Sequence, residues 1–333
     1  MSYQIIDCTT EKELKHVRLL LEKQGLRFED KVTYTLGIYD RNQLIATGSL
    51  YENVLKMIAV DQKYQGENLT ATVLTTLTQK LNEQGIQKYF LFTTPKNKHI
   101  FEAFSLSLIV ENDEIVLFEN NFLPIEEKLN LMKSLLPFNS GQTAAIVMNC
   151  NPVTNGHLYL IETCAKENDN VIIFLVEENK SIFPFDIRFK LLKKATRLMK
   201  NVHIIPSTQY IISRATFPTY FLKELNDASK LFMRLDIEIF IKYFMPIFSI
   251  DKRYVGNEPL DPTTNAYNET MQSLLNDKLV VIDRLERDNQ VISASYVRKM
   301  VKENNFQALE HFVPKATFKF LKSHAGIALF HEK

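Results

Sequence analysis

Thr154-Asn155-Gly156-His157 puts a hydroxyl, a glycine and an imidazole within four residues, between an apolar run and a helical pattern. Such a turn suits a phosphate. The first amides of a helix lack intrahelical partners and lie at the positive end of its dipole. Gly156 has no Cβ, so backbone there can approach a ligand closely. His157 can donate to a phosphoryl oxygen, and Thr154 can reach the same oxygens or cap the helix. Alone, the string fits a plain capped helix start equally well. A second cluster lies far downstream, Ile292-Ser293-Ala294-Ser295-Tyr296-Val297-Arg298. Its two serine hydroxyls and the amides of another helix start can hold phosphate, and Arg298 adds a planar, permanently charged fork. A guanidinium in a first helical turn opposes the dipole, which makes sense where an anion binds. A serine cap beside a surface arginine is the plainer alternative.

Taken together, the two clusters resemble the (T/H)xGH and ISxSxxR signatures of the nucleotidyltransferase superfamily. The resemblance implies attack on the α-phosphate of ATP with release of pyrophosphate. It implies catalytic roles for His157, Thr154 and Arg298, and ATP contacts from Asn151, Gly156, Arg188, Ser293 and Ser295. In-line displacement at phosphorus asks mainly for positioning and charge stabilisation. Mg²⁺ is expected to arrive bound to ATP, and no protein metal ligands are assigned.

Further segments narrow the family. Ser181-Ile182-Phe183-Pro184-Phe185 with Arg188, residues 210–223, Lys252-Arg253-Tyr254-Val255-Gly256-Asn257-Glu258-Pro259 and Tyr267-Asn268-Glu269-Thr270-Met271 resemble citrate lyase ligases. That similarity runs from about residue 143 to residue 324 and implies acetate activation as acetyl-AMP. The acetyl group would then pass to the phosphoribosyl-dephospho-coenzyme-A thiol on the acyl carrier subunit of citrate lyase. Arg188 and Arg214 are cations for triphosphate or acetate, or else solvated ion-pair partners. Glu258 and Asp261 suit a ribose or a metal, or are loop acids. Phe217, Tyr220, Phe221 and Leu222 read as wall or core. Two other readings remain: an adenylyltransferase for a phosphopantetheine-type or nicotinamide-mononucleotide-type acceptor, and a non-catalytic carrier-binding protein.

The first third has a resemblance of its own. Gln65-Gly66-Glu67-Asn68-Leu69-Thr70 is similar to the coenzyme-A pyrophosphate loop of GNAT-type acetyltransferases. Asn68 and Thr70 stand where that family has glycine or alanine, so the loop is degenerate. The resemblance implies a fold kept for recognising a coenzyme-A-like arm, or for docking.

The elements that must position these residues form an α/β pattern. In the first region, residues 11–23 and 69–82 have helical periodicity, residues 32–39 and 44–51 suggest a hairpin, and residues 55–60, 88–92 and 114–118 read as strands. Gly85 reads as a helix stop. Residues 123–142, with Pro124, Pro137 and Gly141 bracketing a helix, read as a connector. The expected division is therefore a mixed α/β, GNAT-like domain over 1–122 and a nucleotidyltransferase domain over 143–333. From residue 143 strands and helices alternate, as in a Rossmann-like parallel sheet: strands at 144–148, 171–176, 202–205, 248–255 and 279–282, helices at 188–200, 236–243 and 295–302. Its ligand crevice should lie beyond the carboxyl ends of the strands.

Composition is consistent with this. Of 333 residues 45% are hydrophobic and 24% charged, enough for two cores. With 40 Lys plus Arg against 39 Asp plus Glu, no basic field points to nucleic acid. No run has the length of a membrane span and no secretory leader is evident. The three cysteines, Cys8, Cys150 and Cys164, are scattered, as expected of a reduced, cytoplasmic protein.

Overall fold

The structure, a computed structural model, describes residues 3–138, 140–177, 181–211, 225–258, 262–287 and 290–330. Arg214, Asp261 and the aromatic residues 217, 220 and 221 lie outside these ranges. The chain divides into two compact units, Met1–Lys128 with Ile212–Leu235, and Leu129–Ile211 with Asp236–Lys333.

The first unit is built on one mixed sheet. Its strands are β1 (Gln4–Asp7), β2 (Tyr34–Asp40), β3 (Gln43–Tyr51), β4 (Val54–Val60), β5 (Phe90–Thr93), β6 (Leu106–Glu111) and β7 (Val116–Asn120), ordered β1-β2-β3-β4-β5-β7-β6. Only β4 and β5 run parallel, so the chain must cross over between them. Helix α2 (Leu69–Glu83) makes that crossing and buries Leu69, Val73, Leu74, Leu77 and Leu81. Helix α1 (Glu11–Lys23) is started by a capping box between Thr10 and Glu13 and buries Val17, Leu20 and Leu21. The short helix α3 (Lys98–Glu102) precedes β6. Its mixed α/β architecture is the one expected of this region from the sequence. Strands β1 and β6, at the two edges of the sheet, have no counterpart in that reading: β1 is four residues long and mostly exposed, and the buried pair in β6 falls on consecutive residues and not in alternation.

The degenerate loop is compatible with its side chains. Gly66 and Asn68 both take positive φ, +89° and +62°. Asparagine tolerates that conformation where most residues do not. Asn68 precedes α2 without capping it through its side chain, and Thr70 lies in the first turn.

Helix α4 (Ile125–Ser134) follows. The second unit contains a five-stranded sheet of β8 (Thr143–Met148), β9 (Asn170–Leu175), β10 (Val202–Pro206), β11 (Lys252–Gly256) and β12 (Leu279–Ile282). Its order is β10-β9-β8-β11-β12, with every pairing parallel. The direction of winding reverses between β8 and β11, and a crevice opens there at the carboxyl ends. Helices α5 (Asn155–Glu167) and α6 (Phe185–Ala195) complete the first crossovers. All six residues of β9 are buried, the signature of a strand covered on both faces. All three cysteines are buried and free.

One expected strand starts late. Residues 248–251 are not in β11, because helical structure runs on through α7 (Leu225–Ile239), a π-helical segment (Phe240–Phe244) and α8 (Met245–Phe248). The reason is packing. Phe240, Phe244 and Phe248 recur at four-residue spacing, and each meets Phe174 of β9 edge-on, at centroid distances of 6.1, 5.2 and 5.3 Å. Helix α9 (Pro262–Leu275), absent from the sequence reading, precedes β12. A two-stranded ribbon, β13 (Glu286–Arg287) with β14 (Gln290–Val291), leads into α10 (Ala294–Lys302). Short helices α11 (Phe306–Leu309), α12 (Lys315–Leu321) and α13 (His324–Ala328) follow.

Candidate active site

At the crevice between β8 and β11 lies a cavity of about 680 Å³. Thr154, Gly156, His157, Ser293, Ser295 and Arg298 all line it, so two clusters far apart in sequence share one wall.

The first cluster starts α5. Thr154 is the N-cap: its Oγ1 accepts from the His157 amide at 3.3 Å, and its own amide donates to His157 Nδ1 at 3.0 Å. An amide can only donate, so Nδ1 is the acceptor and Nε2 carries the proton of the neutral ring. Burial, and then the nearby Arg284 guanidinium, push the imidazole down to about 4. At neutral pH His157 is therefore an uncharged Nε2–H donor. The cap also binds the loop to distant chain, since the Asn155 amide donates to Phe312 O at 2.9 Å and Asn155 Nδ2 to His311 O at 2.9 Å.

Gly156 has a further use beyond the one expected. A Cβ there would lie 2.8 Å from the carbonyl oxygen of Ile292. The missing side chain admits the backbone of the second cluster.

The second cluster starts α10. Ser293 caps it, accepting from the Tyr296 amide at 3.2 Å, and its Oγ lies 3.1 Å from Ser295 Oγ. The helix begins at Ala294, which puts Arg298 in its fifth position, past the first turn. The expected conflict between Arg298 and the dipole is therefore weak. Arg298 instead reaches across the cavity wall, its Nη1 donating to Asn151 O at 2.6 Å. Burial lowers its pKa, yet a guanidinium stays charged at neutral pH.

Two expected ATP contacts are placed elsewhere. Arg188 is 0% exposed, and its donors go to Phe183 O, Asn149 O, Asn149 Oδ1 and Val176 O at 2.7–2.9 Å. These acceptors come from two loops, so Arg188 ties the loops together. Asn151 accepts from the Phe183 amide through its Oδ1 at 3.1 Å, and its carbonyl accepts from Arg298. Glu258 does line the cavity, where it pairs with Arg284.

Arg284 was not singled out from the sequence. It lies two residues past the end of β12, at the strand end where crevices form, and that position was the available signal. Its Nε donates to Asn257 O at 2.8 Å, it lines the cavity, and its charge acts on His157. Among the described residues no group of three or more His, Cys, Asp or Glu is placed to hold a metal. Among the same residues no helix is long and apolar enough to cross a membrane.

The family follows from the sequence of this unit. Residues 143–321 match the citrate lyase ligase C-terminal domain. The chain belongs to the citrate lyase ligase family, a family of enzymes. It is 36% identical over 291 residues to [citrate [pro-3S]-lyase] ligase of Klebsiella pneumoniae, covering 84% of each chain. Identity to the [citrate [pro-3S]-lyase] ligase of Escherichia coli K12 is 31% over 322 residues, 94% of this chain and 91% of that one. A shorter match, 29% identical over 122 residues, is to phosphopantetheine adenylyltransferase of Streptococcus agalactiae, covering 35% of this chain and 74% of the relative. Among solved structures, a GNAT-family acetyltransferase from Staphylococcus aureus aligns at TM-score 0.32 and 11% identity, covering 36% of this chain and 98% of its own.

Proposed function

We propose that the cavity binds ATP and a small carboxylic acid, activates acetate as acetyl-AMP, and passes the acetyl group to a thiol on the acyl carrier subunit of citrate lyase. An acetate oxygen attacks the α-phosphorus as the bond to the bridging oxygen breaks, and pyrophosphate leaves with that electron pair. The carrier thiol, in its phosphoribosyl-dephospho-coenzyme-A group, then attacks the acyl carbon. AMP departs and the thiol proton is lost to solvent. Citrate lyase gains its acetylated, active form.

The observation that carries this reading is that both clusters line one cavity, with Arg298 also bonded to Asn151 O in the loop between β8 and α5. Within it, His157 donates from Nε2 to the α-phosphate as charge grows. Arg298, Ser293 and Ser295 receive the departing phosphates, and Gly156 leaves room beside them. Among the described residues the acids on the wall are Glu258, paired with Arg284, and Asp283, which accepts from Asn257 at 2.7 Å. So sparse a set fits Mg²⁺ carried in on ATP oxygens and not a protein-built cage. Glu258 suits a ribose hydroxyl, and Arg214 remains a candidate for acetate.

We assign the chemistry to residues 143–333, with 1–122 serving carrier recognition and 123–142 as connector. The sequence match to a phosphopantetheine adenylyltransferase supports the adenylyl-transfer half of the reading. Pyrophosphate release with ATP and purified citrate lyase in its thiol form, with and without acetate, tests the whole. Acetate-dependent release together with AMP is expected. Dinucleotide formed from 4′-phosphopantetheine instead would move the function to plain adenylyl transfer.

A further inference from the structure

The cavity wall also holds a buried cation that neither cluster uses. Arg253, second residue of β11, is 3% exposed and lines the cavity. Side chains alternate along a strand, so Arg253 and Tyr254 leave the sheet on opposite faces. Tyr254 bonds Glu167 at the end of α5, whereas Arg253 lies against Phe240 and α9. Its guanidinium carbon is 4.4 Å from the Phe240 ring centroid and 5.9 Å from that of Tyr267. Nη2 donates to the Tyr267 hydroxyl at 3.3 Å, and that hydroxyl donates to the Asp236 carboxylate. Nε and Nη1 are buried and have no hydrogen-bond partner among the described residues.

Guanidinium donors without acceptors are costly in an interior, and a buried cation asks for an anion. We propose that Arg253 is the carboxylate subsite of this cavity, a seat for a small monoanionic acid, with Tyr267 and Asp236 as its positioning residues. This rests on the acid-activating function above. A guanidinium flanked by aromatic rings offers its planar edge, which matches a planar carboxylate. Asp236, one hydrogen bond beyond Tyr267, holds the Tyr267 hydroxyl in place. Burial and Asp236 raise the Tyr267 pKa, so the phenol keeps its proton and the chain Arg253–Tyr267–Asp236 stays directed. With phosphates at the two helix starts and the acid at Arg253, both reactants share one cavity. The bound acid keeps one oxygen on Arg253 and uses the other as nucleophile; no proton has to move.

Acetate-dependent exchange of pyrophosphate into ATP provides the test. Arg253→Gln should raise the KM for acetate about 10- to 100-fold, as for loss of a charge-assisted hydrogen bond, and leave the KM for ATP nearly unchanged. Arg253→Lys should recover part of the loss, and Tyr267→Phe should raise the acetate KM by a smaller factor. An unchanged acetate KM in Arg253→Gln overturns the subsite, and so does a rise confined to the KM for ATP. If Arg253→Gln does not fold, Arg253→Lys and Tyr267→Phe decide by the same split. A wild-type protein without acetate-dependent exchange would sink the function itself. The subsite is then judged by the shift in Tm on adding acetate, which Arg253→Gln should abolish and which, if retained, overturns it.

Discussion

Gly156 and the carbonyl oxygen of Ile292 touch so closely that a Cβ on Gly156 would sit 2.8 Å from that oxygen. The opposing atom is backbone, which cannot swing aside as a side chain would. Gly156→Ala must therefore push the start of α10 away from the start of α5. A cost of about 1–3 kcal/mol in stability is expected, as for other overpacked sites. Adenylation should fall further than stability, because Ser293, Ser295 and Arg298 move with that backbone. Denaturant unfolding and pyrophosphate release on the same variant check both; full activity would remove the contact from consideration.

His157 should behave as a neutral donor across the useful pH range. Its folded pKa, about 4, lies below the ordinary value of 6.5. The unfolded chain thus takes up this proton before the folded one does. Stability from this group is whole above pH 6.5 and is lost as pH falls from there toward 4. Activity should accordingly show no limb near 6.5 belonging to His157. His157→Ala should slow adenylation by about 10²–10³-fold, as for loss of an oxyanion donor. A rate profile with an apparent pKa near 6.5 that vanishes in His157→Ala would contradict this.

The charge of Arg284 is one reason for that low value, so removing it should move the imidazole upward. Arg284→Met also removes the Glu258–Arg284 ion pair, and the less compensated carboxylate pulls in the same direction. Titration of His157 by NMR in both proteins gives the comparison. An unmoved His157 titration would show that burial alone sets the value.

Arg188 should prove essential to the fold and indifferent to ATP. Arg188→Met strands the carbonyls of Asn149, Phe183 and Val176 in a buried site. A loss of at least about 2 kcal/mol is expected. The KM for ATP, measured at a temperature where the variant is folded, should hold. A large rise in that KM without a fall in Tm would return Arg188 to the phosphates.

What the sequence made legible was whatever depends on local spacing. Thr154 to His157 and Ser293 to Arg298 read as helix starts because caps are set by neighbours three residues apart. The apolar run at Val171 read as a buried strand because a parallel strand shows its core on both faces. Arg188 and Arg253 were opaque for the opposite reason. A buried guanidinium is defined by acceptors and rings from several segments, which no local pattern records. Phe248 misled similarly: an aromatic beside Ile250 suggests a strand, and its edge-on packing against Phe174, in step with Phe240 and Phe244, belongs to a helix.

The bond from Arg298 to Asn151 spans 147 positions of chain, and that from Asn155 to His311 spans 156. Contacts so remote form slowly, since a long loop must close before they repay its entropy. During synthesis, β8, α5 and β9 can pair while the partners of Asn151 and Asn155 have yet to be made. The turn at Thr154 is then held by its own cap alone. Completion of the site thus coincides with arrival of the last hundred residues, and a ribosome-bound chain ending before Arg298 should contain a sheet but no working nucleotide pocket.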